Sequence, residues 1–439
     1  MNKLKWTDFR IRVPLDNDCV VIKSTLTGAV VKFSVADEAR INTLIDHSEV
    51  TEAVNTLAER NIGLVVPTNR DEFAEWRQRL VQRRDHEAHM FILHFLPTLQ
   101  CQFSCGYCFE NGGERMKGMS DRVIDDMSCW LSNYFDGHPE INTFRLVLFG
   151  GEPLLRKDVV AKGLEAVYSL SNKRRLDFWT ELVSNGEMLN ESTAAMLAGY
   201  HWLRAQITLD GPEEVHNARR PGKQGRETFS NVMDAIKLLT STEYLKKVDI
   251  RISLDHENAD SIPELIEYLS LLGVQDRMNL SLGLITPTLD KPERLRWDEE
   301  HSLGEKAVSI WSVAQKYGFT IPADFVTGPW CVAIAKHSAI LQPNGALQKC
   351  FCTSARPEYD FGTIKEEPGE YLRDKHFEAW KRTDQCIDER CPFLPVCGGG
   401  CLHDAMVAAG GPDGGTSRFC QKPLIKVYNE GLIRLNFQS

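Results

Sequence analysis

The chain has no long apolar run, and nothing in it approaches the ~18 apolar residues that a bilayer-spanning helix needs. It also lacks an apolar signal core, because Met1-Asn2-Lys3-Leu4-Lys5-Trp6 leads straight into charged sequence. Positive charge is in deficit, with 51 Lys and Arg against 61 Asp and Glu and a net charge of −10. That balance argues against a general nucleic-acid or anionic-membrane surface. Internal repeats and low-complexity tracts are missing too. These absences predict a cytoplasmic protein with no membrane and no nucleic-acid partner. What remains is ordinary globular composition, 42% apolar and 26% charged over 439 residues. That length suits about two to four domains.

Cysteine is what the chain has in excess, with 13 residues. In a reducing compartment clustered cysteines read as metal ligands or redox groups rather than disulfides. Cys19 and Cys129 stand alone, three crowd residues 101–108, and eight fall between 331 and 420. Cys129 lies in a helical pattern with Val123, Met127, Trp130, Leu131 and Tyr134, which predicts an inert core thiol. The same is expected of Cys19.

Three segments follow from the periodicity. Two strand-like runs, 19–22 and 29–33, flank Thr27-Gly28 as a hairpin turn. Helical patterns at 36–46 and 49–60 and a short strand at 63–66 complete a first unit, 1–68. A charged helical linker covers 69–88. Strand candidates at 91–96, 144–149, 178–183, 203–209, 248–254 and 279–284 then alternate with helical stretches such as 121–135, 229–240 and 261–272. This alternation predicts an α/β fold with a parallel sheet, of which a partial TIM-like (β/α)6 barrel over 89–322 is one form, with chemistry at the C-terminal ends of the strands. The last segment, 323–439, is rich in Gly, Pro and Cys and is expected to be held by metal sites rather than a large core.

After the first barrel strand comes Cys101-Gln-Phe-Ser-Cys105-Gly-Tyr-Cys108-Phe109. Three thiolates at this spacing can wrap one face of a 4Fe–4S cube and leave one iron open to a small molecule. Gly106 is expected to let the loop bend tightly. Zinc is the alternative, although it normally takes four ligands, or three plus water with a His among them. Gly150-Gly151-Glu152-Pro153 follows the second strand, where glycines let backbone carbonyls approach a ligand and Glu152 brings negative charge. Ser184-Asn185-Gly186 follows the third strand and Thr208-Leu209-Asp210-Gly211-Pro212 the fourth, with His216, Asn217 and Arg219 close behind.

The Cys-x3-Cys-x2-Cys loop with an aromatic before its last cysteine resembles the signature of the radical S-adenosylmethionine (SAM) superfamily. That resemblance implies that the open iron chelates SAM, whose reductive cleavage gives a 5′-deoxyadenosyl radical. It also implies that Gly150, Gly151, Glu152 and Pro153 cradle the methionine amine, and that Ser184 and Asn185 contact the ribose or carboxylate. Asp210 and His216 are the candidates for acid–base work.

In the last segment Cys331-x13-Gly345-x4-Cys350 precedes Cys386-x4-Cys391-x5-Cys397-x3-Cys401-x18-Cys420. This resembles the SPASM domain of radical SAM peptide maturases, in which seven cysteines serve two auxiliary 4Fe–4S clusters. The familiar form has two residues, not four, between the cysteines matching Cys386 and Cys391. By the resemblance, Cys386, Cys391, Cys397 and Cys420 hold an outer cluster and Cys331, Cys350 and Cys401 an inner one. The inner cluster's fourth ligand is Cys352 or is left open for a substrate thiolate. A zinc ribbon over Cys386–Cys401 is the alternative, and His337 and His403 read as structural.

The combined resemblance implies three 4Fe–4S clusters and SAM, a reductant such as flavodoxin or ferredoxin, and a peptide substrate. The first unit resembles the winged-helix-like domain with which such ribosomal-peptide maturases bind a precursor's leader; a stabilising cap is the plainer reading. Two activities compete: cross-linking of a precursor peptide through a thioether, ether or carbon–carbon bond, and formylglycine formation as in anaerobic sulfatase maturases. The latter have Asp after the cysteine matching Cys350, where this chain has Phe351. A nonenzymatic iron–sulfur carrier is a third reading, against which the three-cysteine loop argues.

Overall fold

The computed structural model describes residues 3–49, 51–59, 61–86, 89–110, 118–285, 288, 297–326, 331–368, 382–411 and 419–437. Strands β1 (Leu4–Trp6), β2 (Arg10–Pro14), β3 (Cys19–Ser24) and β4 (Val30–Ser34) open the chain, and helices α1 (Val35–Asp46) and α2 (Glu52–Ala58), strand β5 (Val65–Pro67) and helix α3 (Glu72–His86) follow. The expected hairpin is β3–β4; Gly28 supplies its turn with φ +76 and donates to Ser24 O at 2.9 Å. β2 extends that sheet to the order β2-β3-β4, while β1 pairs antiparallel with β5.

The charged helix α3 is more than a linker. Phe73, Trp76 and Leu80 form an apolar stripe on it and pack with Phe9, Cys386 and Leu394. Its first turn is pinned by Glu72, which accepts from Thr7 Oγ1 at 2.6 Å and Asp8 N at 2.8 Å. Arg77 pairs with Asp384, and Arg390 with Asp8. The first unit is thereby bolted to the last.

The barrel strands are β6 (Met90–Phe95), β7 (Thr143–Leu148), β8 (Asp177–Ser184), β9 (Trp202–Thr208), β10 (Val248–Leu254) and β11 (Met278–Leu284). They lie side by side in chain order, all parallel. Helices α4 (Asp121–Gly137), α5 (Lys157–Arg174), α6 (Glu191–Ala198), α7 (Glu213–Arg219), α8 (Phe229–Ser241), α9 (Ile262–Ser270) and α10 (Trp297–Lys316) make the crossovers and the outer layer. The sheet does not stop at β6. Strand β12 (Ser338–Leu341) adds to it in parallel, then β13 (Ala346–Gln348) and β14 (Gly362–Thr363) continue antiparallel. Among the described residues the sheet is open, with β11 at one edge and β14 at the other.

The last segment also has more core than its composition predicts. Helices α11 (Asp384–Asp388), α12 (Leu394–Cys397) and α13 (Leu402–Ala409) carry cysteines, and α14 (Lys422–Phe437) packs against α10. On α14, Tyr428 accepts from Trp311 Nε1 at 2.5 Å, and Asn429 bonds both the N and O of Phe325 at 3.1 Å. Ile425 and Ile433 pack with Ile11, Val13 and Val21 of the first unit and with Phe393 and Val396. The two lone cysteines differ from expectation. Cys129 is exposed, because α4 buries Met127, Trp130 and Leu131 and turns residue 129 outward; Cys19 is only half-buried at the start of β3.

Candidate active site and metal centres

Three loops meet at the C-terminal ends of β6, β7 and β8. The turn Gly150–Pro153 lies directly beneath the cysteine loop, with Gly151 N donating to Thr98 O at 3.2 Å and Glu152 N to Gln100 O at 2.9 Å. Only glycine permits this approach. A Cβ at Gly150, which has φ +130, would stand 2.4 Å from Thr98 O, and one at Gly151 would stand 2.4 Å from Gln100 O. Gly106 is different from expectation: its φ is ordinary, and an added Cβ would meet no protein atom within 4 Å.

Glu152 is fully buried. Its carboxylate accepts from Ser184 Oγ at 2.9 and 3.0 Å, Asn185 N at 2.8 Å and Leu154 N at 3.0 Å. Burial raises its pKa to about 7 against those bonds. The carboxylate therefore braces the β8 loop and sets Asn185 beside the first cysteine, where Asn185 Nδ2 lies 3.5 Å from Cys101 Sγ. Pro153, at the start of the following 3-10 turn, is buried.

The fourth-strand residues enter by another route. Tyr107, between Cys105 and Cys108, gives its hydroxyl hydrogen to Asp210 and accepts from Arg220. Asp210 is fully buried, accepts from Ser253 N at 2.7 Å, and stands 3.6 Å from the Arg220 guanidinium. His216 is also fully buried; its Nδ1 accepts from Asp210 N at 3.3 Å, and burial lowers its pKa to about 3. Both residues sit in a buried positioning network rather than as an open acid or base. Sequence reasoning missed Tyr107 and Arg220 in this role. The available signal was an arginine one helical turn after His216, where Arg220 N donates to His216 O at 2.8 Å. Arg251 also interacts electrostatically with Asp210, Tyr107 and Cys352.

A second wall is aromatic. Phe351 packs on His94 (6.1 Å between ring centres), Phe109 (6.0 Å) and Phe149 (5.4 Å). Glu110, missed from sequence, is buried beside Cys108, and burial raises its pKa to about 8.

The thiol chemistry fits iron–sulfur clusters. Burial pushes Cys101 and Cys108 up to about 12 and raises Cys105 as well. Buried thiolates need a strong cationic partner, and metal binding supplies one while displacing the protons.

The C-terminal cysteines fall into two neighbourhoods. Cys386, Cys391, Cys397 and Cys420 line one pocket with Phe393, Leu394, Phe419 and Ile425. Cys331, Cys350 and Cys401 interact with one another, and the Cys352 thiol hydrogen-bonds Cys350, lowering the Cys350 pKa. Burial raises Cys331 and Cys397 to about 11. The buried Arg382 guanidinium interacts with Cys331, Cys386, Cys397 and Cys401, between the two groups. It donates to Gly398 O at 3.2 Å. His403 is buried beside Asp404, 3.5 Å away.

Comparisons with known proteins fit this geometry. Residues 95–269 match the Radical SAM superfamily model. The chain is 31% identical over 144 residues to the cysteine-type anaerobic sulfatase-maturating enzyme of Clostridium perfringens, covering 31% of this chain and 37% of that one. It is 22% identical over 255 residues to the radical SAM cyclopropyl synthase TigE of Paramaledivibacter caminithermalis, covering 54% and 52%. Against these relatives the aligned stretch thus spans roughly a third to a half of their length. The structure of Streptococcus suis SuiB bound to its precursor peptide SuiA superposes with TM-score 0.52 at 12% identity, covering 95% of this chain and 99% of that one. The chain carries a radical SAM domain in an α/β fold with a mostly parallel sheet, and among the described residues no helix is long and apolar enough to cross a membrane.

Proposed function

We propose, from the premise of a radical SAM domain, that this chain modifies a ribosomally made precursor peptide by hydrogen abstraction and installs a thioether, ether or carbon–carbon cross-link. The observation that carries this reading is the joining of the Cys101–Cys108 loop, the Gly150–Pro153 turn and the Ser184–Asn185 loop at one end of the sheet.

Cys101, Cys105 and Cys108 would hold a 4Fe–4S cluster, and Gly150–Pro153, Ser184 and Asn185 would line the SAM site. Bound together, cluster and SAM supply a reductively generated carbon radical able to take hydrogen from the substrate. The protein's own part is placement. Glu152 fixes Asn185 beside Cys101, while Tyr107 ties the cysteine loop to Asp210 and Arg220 across the sheet. Phe109, Phe149 and Phe351 form an apolar wall that keeps water from the reacting carbon. Cys386, Cys391, Cys397 and Cys420 would hold one auxiliary cluster, and Cys331, Cys350 and Cys401, with Cys352 as candidate fourth ligand, the other. The boundaries 1–68, 69–88, 89–322 and 323–439 serve as working domains, with α3 regarded as a packed brace. In the first, β4 is an edge strand on which an extended leader could pair.

Formylglycine formation is the second reading, favoured by the identity to the C. perfringens enzyme. Against it stands Phe351, which fills the position after Cys350 with an aromatic wall where a carboxylate would act as base.

The test is anaerobic reconstitution with iron counting, then mass spectrometry of SAM products and of two peptides, a leader-bearing precursor and a sulfatase-derived Cys peptide. About twelve irons per chain, 5′-deoxyadenosine and a cross-linked precursor are expected. An aldehyde on the Cys peptide alone would favour the second reading, and bound zinc without SAM cleavage would overturn both.

A further inference from the structure

A second cluster of ligating side chains lies at the opposite, N-terminal end of the barrel. His138 caps the C-terminus of α4, Glu140 sits in the turn before β7, and His337 directly precedes β12. One ligand atom from each falls within 4.8 Å of the others. Their backbones are fixed: Ile141 N donates to His138 O at 3.1 Å, and Ile92 N on β6 donates to His337 O at 3.0 Å.

The two distances to Glu140 match those between ligands of one metal ion. Glu140 Oε1 stands 3.3 Å from His138 Nδ1 and 3.4 Å from His337 Nε2. Tetrahedral ligands at metal–ligand distances of about 2.0–2.1 Å stand roughly 3.3–3.4 Å apart. His337 is 2% exposed, and its Nε2 is buried without a hydrogen-bond partner. Its other nitrogen, Nδ1, lies 2.7 Å from Tyr134 Oη, the arrangement by which an outer partner fixes a ligating imidazole. Lys336 Nζ lies 4.0 Å from Glu140 Oε1, and Lys349 is a second cation near His337. The C-terminal end of the α4 dipole adds negative potential at His138.

We infer that His138, Glu140 and His337 bind one divalent first-row metal ion, with zinc as the representative of that class and water in the fourth position. Two imidazoles and a carboxylate are a known zinc ligand set. The ion clamps the α4–β7 connection to the entry of β12, the strand between Cys331 and Cys350. His337 thereby becomes a ligand rather than the structural residue its sequence context suggests. The assignment is independent of the proposed reaction.

The test uses reconstituted holoenzyme, with its cysteine sites filled by iron. The protein is treated briefly with chelator, equilibrated with zinc chloride and gel-filtered, and its zinc is counted. One zinc per chain is expected, with an X-ray absorption edge showing nitrogen and oxygen but no sulphur ligands. His138→Ala and Glu140→Gln, both changes at partly exposed residues, should each weaken zinc binding at least tenfold with iron content and SAM cleavage unchanged. No bound zinc, sulphur ligation, or zinc retained at wild-type affinity in both variants would overturn the inference.

Discussion

Gly151→Ala isolates what the turn under the cysteine loop contributes. The new Cβ would sit 2.4 Å from Gln100 O, 2.5 Å from Leu99 O and 2.6 Å from Gln100 C. All three are backbone atoms, so no side chain can swing aside. To reach even 3.0 Å, the residues just before Cys101 must retreat by about 0.6 Å. Overpacking of this kind costs about 1–3 kcal/mol. A misplacement near 1 Å in a reacting constellation costs on the order of 100-fold in rate, so a shift of this size should slow SAM cleavage roughly ten- to a hundredfold. The assay is 5′-deoxyadenosine released per minute under dithionite, normalised to iron per chain. Gly137→Ala is the control, because its Cβ meets nothing within 4 Å and it ends α4. If Gly151→Ala cleaves SAM at the wild-type rate with full iron, the close-approach argument is wrong.

Other outcomes follow from the same geometry. Tyr107→Phe removes the hydroxyl shared by Asp210 and Arg220 and should lower unfolding free energy by about 1.5–3 kcal/mol, measured by denaturant titration; no change would detach Tyr107 from that network. Cys420→Ala should remove one auxiliary cluster, about four irons, and leave SAM cleavage in place; loss of cleavage would tie that cluster to the catalytic one. His94 and His216 fold with pKa values of about 3, below the unfolded value near 6.5. The unfolded chain therefore binds more protons below pH 6.5, and the stability lost per histidine steepens toward roughly 1.4 kcal/mol per pH unit as pH falls below about 5.5. His94→Phe should flatten that slope in denaturant titrations between pH 7 and 5.5, and an unchanged slope counts against a buried neutral ring. A leader peptide should slow hydrogen exchange of the β4 amides, Val30–Ser34; protection only elsewhere would leave the first unit as a cap.

The barrel was legible because its strands are apolar runs bounded by turns and its helices have clear 3.6 periodicity, as in Val123, Met127 and Trp130. β1 and β2 escaped notice: one is three residues long, and the other alternates Ile11 and Val13 with Arg10 and Arg12. α3 read as a linker because charge dominates its composition and hides the stripe Phe73, Trp76, Leu80. At the site, the cysteine loop and the Gly150–Pro153 turn are local motifs and so were visible. Tyr107 meets Asp210 and Arg220 across 103 and 113 residues, a contact that only the fold creates. The His138–Glu140–His337 group was hidden for the same reason, so His337 read as structural.

The pairing of β12 with β6 sets a schedule for synthesis. β6 carries Phe91, Ile92, Leu93 and Phe95, and one of its two edges is closed by β7 soon after it is made. The other edge must wait for Ser338–Leu341. At about 5–20 residues per second, translation of the intervening chain takes on the order of 10–50 s. Throughout that interval an apolar strand offers unpaired backbone to any neighbour, a recognised route to aggregation. Slower initiation, which spaces nascent chains apart, should therefore raise the yield of folded protein more than slower elongation, which lengthens the exposure. The strand leading into the cysteine loop is the first of the barrel to be made, and it waits for its second partner until most of the chain has followed.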